Sequence, residues 1–293
     1  MGLKVNYIYI LCLTLIVSSC IDDFDKITDS EYQSISVEID PSGWYDDILD
    51  IVQDDFEKHR IYISTDNEHS IRITGLCYDN KDSLLSISEV LTKEISPMSL
   101  NFTRVSCNEY CHLVIFADLV KNETNTKDYE ENWVYLNRDN YNDLTVLSLG
   151  SADHHSYHSL YIGYINVVPK NQLLKVNMNK VSNNGYIKII NRVSSKGFHG
   201  SMKYPNRFLA KTQTNTTLQS QEFSTPYGFS GELIFPITTI NCGNEVRISY
   251  SADYSYSNVE SNTFVVNIES NKNFLLTADC TFGTADPINL KTY

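Results

Sequence analysis

The chain has 293 residues, a formal charge of −13 at pH 7, 20 tyrosines and 2 tryptophans. So acidic a balance excludes a general nucleic-acid binder, which needs a cationic footprint, and broad adhesion to anionic lipid heads. The length suits two domains of ordinary size, each with its own core.

The first residues read MGLKVNYIYILCLTLIVSSC. Lys4 sits in a short polar start, Tyr7 to Val17 is mostly apolar, and Val17-Ser18-Ser19 supplies small residues ahead of Cys20. This is the layout of a secretory signal, with an apolar stretch too short to span a membrane. Asp22, Asp23 and Asp25 follow at once and argue against a signal-anchor helix. The cysteine at the cleavage point resembles that of a bacterial lipoprotein signal. The resemblance implies removal of residues 1–19 and acylation of Cys20, and several acyl chains on one residue give firm anchoring. Residues 20–33 form an acidic tether. They resemble the segment that directs surface-exposed lipoproteins of Bacteroidetes to the outer face of the outer membrane; the plain alternative is a solvated linker.

Strand-like runs follow. Ser34 to Ile39, Arg60 to Ser64 and Ser70 to Thr74 alternate polar and apolar residues, the period of a half-buried strand. Cys111 to Ala117 (CHLVIFA) is nearly continuously apolar and reads as a central strand. Leu144–Leu149, Leu160–Val168, Leu173–Met178 and Tyr186–Ile190 continue the pattern, then Glu232–Phe235, Val246–Tyr250, Phe264–Ile268 and Phe274–Thr277. Asn183-Asn184-Gly185 predicts a turn, because Asn and Gly tolerate positive φ. Two helices are expected: Trp44 to Phe56, and Asp82 to Lys93 with Asp82 as cap. The polar run Ser194 to Glu222 reads as a long loop or an edge hairpin. Many short strands point to an all-β fold of β-sandwiches. The expected division is 34–170 and 171–293, at Pro169-Lys170-Asn171-Gln172.

Five cysteines remain after the leader and Cys20: Cys77, Cys107, Cys111, Cys242 and Cys280. An odd number leaves at least one thiol outside any internal pairing. Cys242 and Cys280 lie in one half and are the candidate disulfide. Cys107 and Cys111, a C-x3-C pair, are placed to close a small loop. Zinc needs a second Cys/His cluster that the sequence lacks, and no metal or other cofactor is expected.

Other chemical groupings have plainer readings. His154, His155 and His158 need a helix to share a face, and no helical pattern surrounds them. Ser151, Asp153 and His155 supply triad residue types without a nucleophile elbow, and Gly228-Phe229-Ser230-Gly231 is one residue short of that motif. Asn137, Asp139 and Asp143 offer oxygens for calcium but lack the EF-hand glycine and glutamate. Asp46, Asp47, Asp50, Asp54 and Asp55 read as a solvated helix face rather than paired catalytic carboxylates. Exposed aromatics such as Tyr254, Tyr256, Trp44 and Trp133 would suit sugar stacking, so a glycan-binding surface lipoprotein is the alternative function. Buried rings with wet hydroxyls are the commoner use of tyrosine. No enzyme is expected.

Four pieces together resemble the fimbrial anchor and fimbrillin-like lipoproteins of Bacteroidetes, the FimB/Mfa type. They are Cys20 with its acidic tether, Arg60-Ile61-Tyr62-Ile63-Ser64, Tyr110 to Asp118 (YCHLVIFAD), and Ser159-Leu160-Tyr161-Ile162-Gly163. The resemblance implies two tandem transthyretin-like, Greek-key β-sandwich domains, with Leu173–Met178 and Tyr186–Ile190 opening the second. It also implies a role in anchoring, starting or limiting a surface fimbria. Subunits would join by β-augmentation at an unpaired strand edge, and the partners would be fimbrial subunits and, through the lipid, the membrane.

Overall fold

The computed structural model describes residues 32–45, 48, 69–106, 110–122, 129–131, 133–148, 159–170, 172–191, 198–225, 230–240, 246–253, 262–268, 272, 274–279 and 289–292. These residues are nearly all strand. In chain order the strands are β1 (Tyr32–Ile39), β2 (His69–Tyr78), β3 (Leu84–Thr92), β4 (Met98–Ser106), β5 (Cys111–Asn122), β6 (Tyr129–Glu131) and β7 (Trp133–Leu136). Next come β8 (Thr145–Ser148), β9 (Tyr161–Val167), β10 (Gln172–Lys175), β11 (Asn179–Lys180), β12 (Ser182–Asn191) and β13 (Phe198–Leu209). The last are β14 (Thr214–Thr225), β15 (Gly231–Ile240), β16 (Val246–Asp253), β17 (Asn262–Ile268), β18 (Phe274–Asp279) and β19 (Asn289–Thr292).

Four sheets result. A three-stranded sheet runs β10-β1-β4, and a six-stranded sheet runs β11-β9-β5-β2-β3 with β6 added to β5. A four-stranded sheet runs β15-β12-β18-β19, and a second six-stranded sheet runs β17-β16-β13-β8-β7 with β14 added to β13. Most pairings are antiparallel; β1 with β10 and β12 with β18 are parallel.

The strand β5 shows why its sequence is continuously apolar. Cys111, Leu113, Ile115, Ala117 and Leu119 face a first core shared with Ile35, Val37 and Ile39 of β1 and Leu100 and Phe102 of β4. Val114 and Phe116 face a second core shared with Trp133 and Tyr135 of β7, Val146 of β8 and Phe208 of β13. Side chains alternate across a strand, so a strand covered on both faces loses its polar half. The sheet containing β5 is therefore the middle layer of the described structure.

Sheet membership does not follow the chain cut at 170/171. β10 and β11, which come after it, pair with β1 and β9. β7 and β8, which come before it, join the sheet of β13. The expected opening strand Leu173–Met178 thus begins within β10 and edges the sheet of β1.

Three local expectations change or resolve. Asp82 to Lys93 is no helix: β3 covers its greater part and pairs with β2 from Ile71–Thr92 to Tyr78–Leu84. Its apolar residues suit a helix because they fall on both sides of the chain, but the ladder to β2 overrides that local preference. Asn183-Asn184-Gly185 is no turn either; it lies inside β12, opposite Thr239, Thr238 and Ile237 of β15. Gly185 is needed there for close approach, since a Cβ would stand 2.4 Å from the Phe274 carbonyl oxygen of β18. The buried Asn183 amide donates to the Lys272 carbonyl at 2.7 Å, and that of Asn184 to Ser159 Oγ at 3.1 Å. The polar run Ser194 to Glu222 contains the hairpin expected as its second option, β13 with β14. The candidate helix from Trp44 begins as such: the Ile48 amide donates to the Trp44 carbonyl at 3.1 Å. Most of its remaining length lies outside the described residues.

Candidate functional site

Cys20, the leader and tether residues 21–31 lie outside the described residues, as do Cys107, Cys242, Cys280, Arg60 to Ser64, Ser151, Asp153, His154, His155, His158, Tyr254 and Tyr256. The last two residues of the expected tether, Tyr32 and Gln33, instead open β1, paired with Ser106 and Val105 of β4. Asp46, Asp47, Asp50, Asp54 and Asp55 also lie outside them, as do Gly228 and Phe229. Among the described residues no group of three His, Cys, Asp or Glu side chains is placed to hold a metal. Both tryptophans are core residues: Trp44 stacks on Tyr161 with ring centroids 5.5 Å apart, and Trp133 is 1% exposed. Neither is available as a platform for sugar rings.

What the described residues build is a joint. At its centre Arg72 of β2 and Asp118 of β5 form a buried ion pair, both side chains 0% exposed. Arg72 Nε donates to Asp118 Oδ1 at 2.9 Å and Nη2 donates to Oδ2 at 2.7 Å, the two-pronged geometry that suits guanidinium and carboxylate. Nη2 also donates to the Trp133 carbonyl of β7 at 2.9 Å. The guanidinium carbon lies 4.9 Å from the Tyr135 ring centre, and Tyr135 stacks on Phe116 at 4.2 Å. Burial first, and then the Asp118 charge, hold the Tyr135 hydroxyl well above the ordinary tyrosine range. A charge pair of this depth costs desolvation and repays it only with complete hydrogen bonding. Here it binds the β7–β8 hairpin to the middle sheet. Sequence reasoning missed it because Arg72 looks like an ordinary outward position on an alternating strand, and Asp118 follows directly after the apolar run of Cys111 to Ala117 as if closing it.

A second fastening closes the rim of the joint. The turn between β2 and β3 is folded by Asp79, whose Oδ1 accepts from the amides of Lys81 and Ser83 at 2.8 Å each. That turn presents Asp82, at φ 67°, to the loop after β7 and to the β13–β14 turn. Lys211 Nζ donates to Asp82 Oδ1 at 2.8 Å, to Asp82 Oδ2 at 2.7 Å and to Asn142 Oδ1 at 2.8 Å. It also lies 5.4 Å from the Tyr141 ring centre, and Tyr141 stacks on Tyr78 and on His112. Burial first, and then the Asp82 charge, push the Tyr141 hydroxyl up to about 12. The Lys211 ammonium thus meets two oxygens of Asp82 and one of Asn142, beside the loop that carries Asn137, Asp139 and Asp143. In that loop Asn137 Nδ2 donates to the Asp143 carbonyl at 3.3 Å, so its polar side chains brace the loop itself.

The Asp82 carboxyl is held below its ordinary 3.8 chiefly by the hydrogen bond from Lys211, with help from Asn142 and the Lys211 charge. A depressed carboxyl stabilises the fold above its unfolded value, and the contribution is lost as pH falls through the folded one. We therefore expect a double-mutant cycle of Asp82→Ala and Lys211→Ala to give a coupling of about 0.5–1 kcal/mol at neutral pH, modest because the pair is partly wet. Measured by urea unfolding, that coupling should vanish at pH values well below 3.8.

Sheet ends carry the remaining surface of interest. On β3, Leu85, Ile87 and Leu91 are exposed, 47% in the case of Ile87. The β3 edge is approached by β4, where the Asn101 amide donates to Ser88 Oγ at 3.1 Å.

No protein-family model matches the chain, and no curated protein matches it. Solved structures do. The fimbrial anchor protein Mfa2 from Porphyromonas gingivalis is 8% identical with a TM-score of 0.47, over 89% of this chain and 98% of that one. A candidate adhesin from Bacteroides ovatus is 11% identical with a TM-score of 0.47, over 83% and 85%. A candidate polysaccharide-binding protein from Bacteroides thetaiotaomicron is 9% identical with a TM-score of 0.45, over 89% and 98%. These structural neighbours include the kind of protein that the sequence resembles. At such identities and TM-scores the likeness carries none of their roles to this chain.

Proposed function

We propose that this chain is a non-enzymatic lipoprotein of the outer cell surface that anchors or helps assemble a fimbria. The observation that carries the reading is Cys20, set between an apolar leader with small residues at its end and an acidic segment. Leader 1–19 is removed, Cys20 takes the acyl chains, and residues 20–31, up to the start of β1, hold the folded part away from the membrane. The folded part is two transthyretin-like sandwiches, 34–170 and 171–293, that exchange strands across their boundary. Cys242 and Cys280 form a disulfide in the second. Neighbouring fimbrial subunits join it by β-strand complementation, in which main-chain hydrogen bonds to an open edge give affinity and alternate side chains give specificity.

A tether at one end and a fastened joint between sheets suit a part that transmits load from a polymer to a membrane. The joint supports this role because Lys211–Asp82 ties the second half to the first, while Arg72, held by Asp118 of its own sheet, grips β7 of the neighbouring sheet through the Trp133 carbonyl. The test of the anchor is Cys20→Ala. The variant should move from the membrane fraction to the soluble fraction after an alkaline wash while keeping the wild-type unfolding midpoint. Retention in the washed membrane would sink the lipid-anchor reading.

A further inference from the structure

β7 is the outer strand of its sheet among the described residues, with β8 on its inner side. Neighbouring contacts fix which of its backbone groups face outward. The Ala210 amide, just past β13, donates to the Leu144 carbonyl at 2.9 Å, and Asn206 Nδ2 of β13 donates to the Ser148 carbonyl at 3.4 Å. Backbone groups two residues apart on a strand point to the same edge. Leu144, Val146 and Ser148 therefore address β13, and Thr145 and Leu147 address β7. Opposed residues of an antiparallel pair either exchange their hydrogen bonds or both turn them away. Thr145 and Leu147 stand opposite Leu136 and Val134. Val134 and Leu136 thus bond to β8, and Trp133 and Tyr135 turn their backbone groups to the outer edge.

Both outward carbonyls accept from arginines. Arg72 Nη2 donates to that of Trp133 at 2.9 Å, and Arg138 Nε donates to that of Tyr135 at 3.0 Å. The two guanidinium carbons lie 4.9 and 5.6 Å from the Tyr135 ring centre. Asn137 allows the second cap: at φ 56° it turns the chain so that Arg138 reaches back over Tyr135, and asparagine enters this region more readily than most residues. The lane outside β7 is otherwise suited to another strand. Arg72 reaches this edge from β2, so the edge lies over β2, with β3 next to it. Arg72, Thr74 and Leu76 of β2 are fully covered, whereas Leu91 and Ile87, opposite Arg72 and Leu76 on β3, are exposed together with Leu85. An unpaired edge above an apolar floor invites pairing with another chain, and charged side chains are a usual block. We propose that Arg138, together with Arg72, closes the outer edge of β7 to strand addition, and that a second copy of this chain pairs there once the Arg138 donor is removed. A fimbrial subunit that joins by strand complementation then uses a different edge.

The proposal does not rest on the surface reading, and its test needs no fimbrial partner. The full chain is purified in mild detergent, and its protein mass is measured by light scattering from dilute to concentrated solution. Arg138→Met keeps a long stem over Tyr135 and removes the donor. Its mass should climb with concentration towards twice the wild-type value. Arg138→Lys retains a cationic donor and should stay at the wild-type mass. Adding Ile87→Glu to Arg138→Met puts a charge on the floor of the lane and should restore the wild-type mass. An Arg138→Met chain that matches wild type at every concentration would overturn the proposal. So would association that survives Ile87→Glu, since it would lie elsewhere, or association of Arg138→Lys equal to that of Arg138→Met. Loss of the fold in Arg138→Met would overturn it as well, because Arg138 would then hold the strand rather than guard its edge.

Discussion

Replacing Asp118 with alanine is expected to lower the unfolding free energy by about 3–5 kcal/mol, because it leaves the Arg72 guanidinium buried without its counter-charge. Arg72 is enclosed by the β7 carbonyl of Trp133 and the Tyr135 ring, so it has no short route to water. The second core lies on the same face, and its loss would loosen the β7–β8 hairpin from the middle sheet. The double replacement Arg72→Met with Asp118→Leu separates two meanings of the pair. Removing both charges should recover most of the loss, since apolar substitutes of similar volume are often neutral in such sites. The Trp133 carbonyl would then lack its donor, a residual cost of about 1 kcal/mol. Urea unfolding with tryptophan fluorescence measures all three chains, and Trp133 reports on the joint itself. A drop below about 1 kcal/mol for Asp118→Ala would mean that the guanidinium reaches solvent.

The second large effect is at Gly185. Its added Cβ would stand 2.4 Å from the Phe274 carbonyl oxygen and 2.6 Å from the Phe274 ring. A carbonyl in a parallel ladder cannot rotate aside without breaking the pairing of β12 with β18. Gly185→Val should therefore destabilise by about 3 kcal/mol, at the upper end of the usual range for overpacking. Gly75 is the informative contrast. A Cβ there would meet Phe102 Cζ at 2.5 Å and Leu100 Cδ1 at 2.7 Å, both side-chain atoms able to move. Gly75→Val should cost clearly less than Gly185→Val in the same urea assay. Equal losses would contradict the backbone argument.

The legible parts of this fold were those in which one strand's surroundings are uniform along its length. CHLVIFA reads as a central strand because both faces of β5 are covered, and SISVEI reads as half-buried because β1 has a single core face. The β13–β14 hairpin was visible only as one of two options, since its polar residues carry little periodicity. Asn183-Asn184-Gly185 misled because Asn and Gly were read for their freedom in φ. Their actual uses are interior ones: buried amides that donate to the Lys272 carbonyl and the buried Ser159 hydroxyl, and a missing Cβ that admits Phe274.

Long-range pairing was the main thing hidden. Nothing near residues 133–148 announces that β7 and β8 leave the sheet of their sequence neighbours for that of β13. Likewise, Cys111 has Cys107 four residues away, but the strand pairing sets it on the same core face as Cys77. The Lys211–Asp82 contact joins positions 129 residues apart. Such partners are set by topology, and spacing in sequence does not encode it. The candidate anchor shows the reverse relation. The Cys20 proposal rests on its leader and acidic segment alone, because a processing signal is read as a linear segment.

The central claim is that the chain holds fimbrial subunits at the cell surface. It is tested most directly by recovering the tagged protein from its native cells in mild detergent and identifying what accompanies it by mass spectrometry. The account predicts a polymer-forming, pilin-like subunit in the wild-type preparation, and its absence from the membrane fraction of Cys20→Ala cells. Recovery of polysaccharide or a glycan importer, with no such subunit, would contradict it.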